Sequence, residues 1–281
     1  MLSSLIIVFR EVLEAALIIG IVCAATRGMD KRFSMVAIGI ILGALGAVIV
    51  ALFADVVADF AEGMGQELFN ASVLLTVVVM LAWHLIWMAQ HGAELASRAN
   101  KTGSSVREGS EPLTVLILLV GLAVLREGAE VVLFLYGIAA GGSSASMMIM
   151  GSLLGLVLGV LVGFALYGGL IRIPTKSLFT VSSALLVVLA AGMAGKAAKY
   201  LIQGDFVPAL GYDLWDTSAL ISNNSIAGEV FGTLIGYDAK PAGMQVVFYV
   251  VALLLILAGM WWAKQKHPVV SLTKDSQAAA Q

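Results

Sequence analysis

Two long apolar runs of this sequence carry the same charged motif, and this pairing constrains the fold more than any other feature. Residues 5–25 and 113–136 are predominantly apolar, and each contains Arg-Glu-x-x-Glu: Arg10-Glu11-x-x-Glu14 in the first and Arg126-Glu127-x-x-Glu130 in the second. A helix that crosses a bilayer needs about 20 apolar residues, so both runs are long enough to span. Each charge placed at mid-membrane costs about 2.5–3.5 kcal/mol on insertion scales. Two copies of the motif therefore require a functional explanation.

The composition indicates a membrane protein with several spans. Of the 281 residues, 60% are hydrophobic and 12% are charged, whereas a soluble domain has about 25% charged residues. The single cysteine, Cys23, excludes an internal disulfide, a Cys-x-x-Cys pair and a thiolate metal cluster. Seven apolar segments are long enough to span, namely residues 5–25, 35–58, 68–90, 113–137, 147–170, 177–202 and 243–263. The sequence predicts an all-α polytopic membrane protein with seven transmembrane helices.

Basic residues alternate between the two sides of these spans. They are frequent between spans one and two, three and four, and five and six, and after span seven, as Arg27, Lys31, Arg32, Arg98, Lys101, Arg107, Arg172, Lys176, Lys264, Lys266 and Lys274. The opposite connections hold a single basic residue, Lys240, and several acidic ones. Because basic loops stay in the cytoplasm, the N-terminus is predicted outside and the C-terminus inside. Residues 264–281 then form a polar cytoplasmic tail.

The two motifs predict an inverted repeat. Spans one to three (about residues 5–90) and four to six (about 113–202) form two units of three, so the second unit has the opposite orientation. The motifs lie at similar depths from the outer surface and are expected to meet near mid-membrane. Residues 203–242 are too polar to span. We predict that they lie outside the membrane, with a short helix at 225–235 capped by Asn223 or Asn224.

The spacing of the motif residues favours a site for a multivalent cation. The two glutamates of each motif are i and i+3, and the arginine and the second glutamate are i and i+4, so all project from one helix face. Four carboxylates and two guanidiniums leave a net charge of −2, and carboxylate oxygens suit hard cations. We hypothesise that an arriving cation displaces the arginines from their partners. The structural alternative is that each motif is an ion pair that holds the bundle together.

Several other polar residues are weaker candidates for a metal site. Asp55 and Asp59 lie at the outer end of span two, with Glu67 close behind, and together they form either a surface that attracts cations or an ordinary acidic loop. His84 lies inside span three and is either a ligand, a proton relay or a hydrogen-bonded packing residue. Lys196 and Lys199 close span six on the outer side, against the positive-inside trend.

The paired motifs, in spans one and four of a seven-span chain, resemble the oxidase-dependent iron transporter family. This family includes fungal high-affinity iron permeases and bacterial EfeU-type relatives. Residues 65–69, 87–88 and 191–196 support the resemblance, which covers essentially the whole chain. Asn70 stands where the family often has an acidic residue, so a second acidic site at that point is not expected from the resemblance, although Glu67 remains.

The resemblance implies that this chain imports iron across a bacterial cytoplasmic membrane. It assigns the metal site to Glu11, Glu14, Glu127 and Glu130, supported by Arg10 and Arg126. Iron is then the transported substrate, and no permanently bound cofactor is expected. In the fungal type a partner oxidase delivers Fe(III), so the resemblance implies a separate exported oxidase or iron-binding protein that docks on the outer loops, such as 203–242. Membrane lipid is an expected contact, and nucleic acid is not.

Two other functions remain open from the residues. Carboxylates alone do not exclude a permease for Mn(II) or another hard divalent cation. A membrane-embedded enzyme with a di-metal centre is the second alternative. Ferritin-like di-iron sites use Glu-x-x-His pairs, whereas here Glu14 and Glu130 are followed three residues later by Leu17 and Leu133. We therefore expect a transporter and not an enzyme.

Overall fold

The computed structural model describes residues 1–61, 65–169, 175–223 and 225–266, and these ranges contain eight α-helices and no β-strand. The helices are α1 (Leu2–Ala25), α2 (Arg32–Ala61), α3 (Gln66–Arg107), α4 (Val115–Ala140), α5 (Ala145–Tyr167), α6 (Thr175–Gln203), α7 (Ile226–Leu234) and α8 (Gly243–Lys266). The prediction of an all-α chain is confirmed.

Five described segments are long and apolar enough to cross a membrane: Arg32–Ala54, Gln66–Gly92, Ala145–Tyr167, Ser177–Gln203 and Gly243–Ala263. Large apolar side chains such as Ile49, Phe53 and Phe164 are exposed on these helices, as expected where lipid replaces water. The chain is therefore an integral membrane protein. The helices α1 and α4 have 24 and 26 residues, and each holds three charged side chains of one motif.

Glycines allow α5 to pack closely against α1. Gly151, Gly155, Gly159 and Gly163 are buried along one face of α5. A Cβ atom on Gly155 would lie 2.5 Å from the carbonyl oxygen of Leu5 and 2.9 Å from the amide nitrogen of Phe9. Small residues at such spacing bring helix backbones together in a membrane. The close packing fixes the position of α1, which carries the first motif.

The helix α2 packs against α4 in the same way. A Cβ atom on Gly43 would lie 2.6 Å from the carbonyl oxygen of Gly121 and 3.0 Å from the amide nitrogen of Leu125. The second motif is thus placed by a glycine contact like the one that places the first.

The centre of the bundle is formed by α3 and α6, with α8 beside them. Its main apolar cluster joins five helices through Ile7, Leu74, Leu81, Phe134, Leu186 and Ile256. Each of these side chains is less than 2% exposed. This cluster lies next to the charged residues of the motifs and keeps their surroundings apolar.

The helix α3 continues well beyond the predicted end of span three at residue 90. Ala99 and Val106 are buried in a second apolar cluster against Val22 and Leu116, and their seven-residue spacing places them on one helix face. The predicted loop that holds Arg98, Lys101 and Arg107 is therefore helical, because it buries an apolar stripe of its own.

The segment 203–242 differs from its prediction in the cap of its short helix. The cap of α7 is Ser225, whose Oγ accepts a hydrogen bond from the Gly228 amide at 3.0 Å, whereas Asn224 lies outside the described residues. Gly236 packs against Gly192 of α6, about 16 Å from the end of that helix at Gln203 at 1.5 Å per residue. Part of the segment therefore packs against the side of α6 and not only beyond its end.

The glycine packing predicts a specific loss of stability. Gly155→Ala places a methyl group against the backbone of α1, which cannot move aside, and overpacking of this kind costs about 1–3 kcal/mol. Gly20→Ala is the matched control, because its Cβ would make only ordinary contacts, 3.8 Å from Tyr167. We expect a lower melting temperature for the first variant alone, measured by size exclusion after heating in detergent. Equal melting temperatures would contradict the packing.

Candidate metal centre

Three helices bring both motifs together in the interior of the bundle. Arg10, Glu11 and Glu14 on α1, His84 on α3 and Glu127 on α4 are all less than 5% exposed. Burial of so many ionisable groups in an apolar bundle is costly unless each has a partner. The contacts among them therefore decide what the cluster does. We call Arg10, Glu11, Glu14, His84, Arg126, Glu127 and Glu130 the motif cluster.

The guanidinium of Arg10 lies between three potential metal ligands. Its Nη1 donates hydrogen bonds to Glu11 Oε1 at 2.9 Å and to His84 Nε2 at 2.6 Å. Its Nη2 lies 2.7 Å from Glu14 Oε1. Glu11, Glu14 and His84 also form a group whose ligand atoms all lie within 4.8 Å of one another. A positive charge of the protein itself thus contacts every member of a potential metal site.

The contact with Arg10 indicates which tautomer of a neutral His84 fits the cluster. A guanidinium only donates hydrogen bonds, so Nε2 of His84 accepts and carries no proton. The proton of the neutral imidazole is then on Nδ1, which lies against Glu130 Oε2. His84 therefore connects the two motifs through its two ring nitrogens.

The second motif is more open than the first. Arg126 Nε donates to Glu130 Oε1 at 3.0 Å and lies 3.9 Å from Glu127 Oε1. Its guanidinium carbon is 4.2 Å from the centre of the Trp87 ring, a cation–π contact. The Arg126 side chain is 32% exposed, compared with 2% for Arg10. The two arginines of identical motifs therefore have different environments.

Several carboxylate oxygens of the motif cluster lack donors. Within the described part of the chain, Oε2 of Glu11, of Glu14 and of Glu127 are buried without a hydrogen bond. Such atoms carry the full penalty of lost hydration. Glu11, Glu127 and Glu130 form a second group of ligand atoms within 4.8 Å, and Glu11 belongs to both groups. A ligand set of carboxylate oxygens and one imidazole nitrogen suits iron or manganese.

The structure brings together all six predicted motif residues and His84, but not the other candidates. Glu67 is exposed in the first turn of α3, about 26 Å from His84 along that helix. The side chains of Asp55 and Asp59 lie outside the described part of the structure. Trp87 contacts the motif cluster through Arg126, although the sequence analysis assigned it no role beyond the resemblance. Its position one turn after His84, on the same helix face, is the signal that was available.

Comparison with known proteins points to one family. The family model for the iron permease FTR1 family matches residues 1–267. The ferrous iron permease EfeU of Escherichia coli O6:H1 (strain CFT073) is 29% identical over 258 residues, which cover 90% of this chain and 93% of that protein. The ferrous iron permease EfeU of Shigella sonnei (strain Ss046) is 28% identical with the same coverage. No solved structure matches the chain.

The position of Arg10 predicts how the cluster responds to its removal. Arg10→Gln removes the group that competes with a metal for Glu11, Glu14 and His84, and it makes the cluster more negative by one charge. We expect Mn(II) to bind at least about tenfold more tightly, which corresponds to about 1.4 kcal/mol. This affinity is measured by titrating the purified protein with Mn(II) and following the electron paramagnetic resonance signal of the free ion.

Two further variants control the test. Arg98→Gln makes the same charge change at an exposed ion pair with Glu94 and should leave Mn(II) binding unchanged. Arg10→Lys keeps the charge and should bind Mn(II) like the wild type. Weaker binding by Arg10→Gln would show that the guanidinium supports the metal site instead of competing for it.

Proposed function

The chain belongs to the iron permease FTR1 family and is an iron permease, and from this premise we propose that iron crosses the membrane through the motif cluster. Glu11, Glu14, Glu127 and Glu130 supply the ligands, and His84 adds an imidazole nitrogen. The protein acts as a transporter and not as an enzyme, and iron is its substrate.

The observation that carries this proposal is the Arg10 guanidinium among Glu11, Glu14 and His84. The guanidinium holds a cation's position while the site contains no iron, because it offers positive charge to all three groups. An iron ion brings two or three charges to the same position and also satisfies the oxygens that lack donors. Iron therefore exchanges with Arg10 instead of entering a vacant site.

Seven spans follow when α1 and α4 are added to the five apolar segments. Both helices are long enough to cross a bilayer. Four of their six motif charges are buried against other helices, and Arg126, which is one third exposed, lies against Trp87. The alternation of basic residues favours an N-terminus outside and a C-terminus inside a bacterial cytoplasmic membrane. Iron then reaches the motif cluster from the outer ends of α1 and α4.

Matching helix contacts support the inverted repeat of three plus three helices. Residues 1, 5, 8 and 9 lie at the same positions relative to Arg10 as residues 117, 121, 124 and 125 do relative to Arg126. The first set contacts Gly151 and Gly155 of α5, and the second contacts Gly39 and Gly43 of α2. Each motif helix thus uses equivalent positions to pack on the second helix of the other unit.

A separate oxidase or iron-binding protein is proposed to dock on residues 203–242, which we call the outer segment. Apolar side chains are unusually exposed there for a polar stretch of chain, notably Phe206, Tyr212 and Leu220. Exposed apolar groups of this kind mark protein contacts. The partner either delivers Fe(III) or oxidises Fe(II), the form named in the relatives.

Radiolabelled iron uptake tests the pathway in cells that lack other iron importers. We expect Glu14→Gln and Glu130→Gln to reduce uptake at least about tenfold, because each removes one carboxylate ligand and its charge. Glu94→Gln, on the exposed part of α3, is the matched control and should transport normally. Normal iron uptake by both motif variants, at equal protein levels in the membrane, would show that iron takes another pathway. Uptake of labelled manganese, measured in parallel, tests whether the substrate is iron or Mn(II).

The orientation is tested with a membrane-impermeant maleimide in intact cells, after Cys23→Ser. The exposed positions Ala219 and Lys101 lie in the outer segment and near the end of α3, respectively. We expect Ala219→Cys to be labelled in intact cells and Lys101→Cys only after the cells are opened. The reverse labelling pattern would show that the chain has the opposite orientation in the membrane.

A further inference from the structure

A cavity of about 700 Å³ lies where the outer segment meets the outer ends of α4, α6 and α8. We call it the outer cavity. Its lining includes Gly141 to Ser144, the last two turns of α6, and residues of α7 and the start of α8. The charged side chains described in this lining are Lys196, Lys199 and Asp238. Its electrostatic character therefore depends on these three groups.

Lys199 and Asp238 neutralise each other. Lys199 Nζ lies 3.0 Å from Asp238 Oδ2, and Asp238 Oδ1 accepts hydrogen bonds from Asn223 Nδ2 at 2.8 Å and from the Lys240 amide at 3.2 Å. Burial alone raises the pKa of Asp238, but the hydrogen bonds from Asn223, Lys240 and Lys199 outweigh it and hold the pKa below its usual value. The carboxylate is therefore ionised at neutral pH.

Lys196 has no counterion within the described part of the chain. It lies one turn before Lys199 on α6, and no hydrogen bond or ion pair joins it to any other described residue. The described side chains of the lining thus sum to a charge of +1, although the outer segment as a whole is acidic. An unpaired ammonium in a partly buried position is costly unless something else compensates it.

Lys196 also lines a second, smaller cavity that lies further inward. This second cavity, of about 20 Å³, shares Gly141, Ser143 and Lys196 with the outer cavity and continues to Gly137 and Met193. Glu130 lies two turns before Gly137 on α4, about 10 Å deeper. A path from the outer cavity to the motif cluster therefore passes the ammonium group of Lys196.

This placement conflicts with the passage of a bare metal ion. Coulomb repulsion from Lys196 grows in proportion to the charge of the ion, so Fe(II) and Fe(III) are repelled more strongly than monovalent cations. The same ammonium attracts an anion, and neutral hydrogen-bonding groups of Tyr200, Gln203 and Tyr249 line the cavity around it.

We propose that the outer cavity binds a small oxyanion, a carboxylate or a phosphate, through Lys196, and that iron arrives there as a complex with this anion. At Lys196 the ammonium retains the anion, and the charge of the anion offsets the repulsion of the metal. The metal–oxygen bonds to the anion break, water takes their place on the ion, and the ion moves about 10 Å inward, where the glutamates of the motif cluster replace that water. No change of oxidation state is involved. The binding of the anion stands by itself, and the exchange rests on the proposed function.

Calorimetric titration of the purified protein tests the anion site without iron. The protein is held in a maltoside detergent, which contains no phosphate, and is titrated with citrate and, separately, with inorganic phosphate. We expect at least one of the two to bind, and Lys196→Gln to weaken that binding at least tenfold. If only citrate binds, the oxyanion is a carboxylate, and if only phosphate binds, it is a phosphate.

Two variants keep this test independent of folding and of net charge. Lys240→Gln removes the same charge at an exposed ion pair with Asp216, outside the cavity lining, and should bind the anion normally. Lys196→Arg keeps the charge and should restore most of the affinity. The anion site is overturned if neither anion binds the wild type, or if Lys196→Gln binds as the wild type does.

An uptake measurement tests the exchange step. Labelled iron is supplied either as its citrate complex or as Fe(II) with ascorbate, and Lys196→Gln should lose uptake of the citrate complex selectively. Equal loss of both forms, or no loss of either, overturns the exchange. Glu14→Gln should still bind the anion, so a failure of the motif cluster as the iron pathway is distinguishable from a failure of the anion site.

Discussion

The structure depends on the compensation of charges that are buried where no water can hydrate them. Arg10 provides most of it, because one guanidinium contacts Glu11, Glu14 and His84 at once. These contacts require α1 and α3 to approach closely. The contact between His84 and Glu130 requires α4 to approach α3 as well. The glycines of α2 and α5 allow this approach, since a methyl group at Gly43 or Gly155 would press on the backbone of the facing helix. The packing of small residues and the chemistry of the cluster therefore depend on each other.

Features that depend on hydropathy and motif spacing could be predicted from the sequence. Features that depend on tertiary contacts could not. The apolar segments and the paired motifs are local patterns, so the all-α class and the convergence of six motif residues could be predicted. His84 could not be assigned as a ligand, a proton relay or a packing residue, because the sequence around an isolated histidine in an apolar segment does not show which side chains it contacts. The extension of α3 was missed because residues 93–107 are mostly polar, while Ala99, Gly103 and Val106 form a narrow buried stripe against α1 and α4. Ser225 caps α7 instead of an asparagine because Asn223 is engaged with Asp238 and Ala239.

The two motifs are equal in sequence but unequal in the structure. Arg10 is enclosed by ligands of α1 and α3, whereas Arg126 is one third exposed and rests on the Trp87 ring. Trp87 stacks on His91, one turn further along α3. In the proposed orientation this aromatic pair lies on the cytoplasmic side of Glu130. Displacement of Arg126 costs less than displacement of Arg10, because its guanidinium keeps both partial hydration and the cation–π contact. The opening of the cluster toward the cytoplasm is therefore expected at the second motif.

A metal site that an arginine occupies at rest selects cations by their charge. In the proposed pathway an ion must replace the Arg10 guanidinium, which already satisfies three partners. A monovalent ion brings no more charge than the group it replaces and loses its hydration shell, so the exchange has no electrostatic gain. A divalent or trivalent ion doubles or triples the attraction to the same carboxylates, about 4 kcal/mol per additional charge at 4 Å and an effective dielectric constant near 20. The arginine inside each motif thus serves the same end as the glutamates: it makes the site accessible only to ions of higher charge.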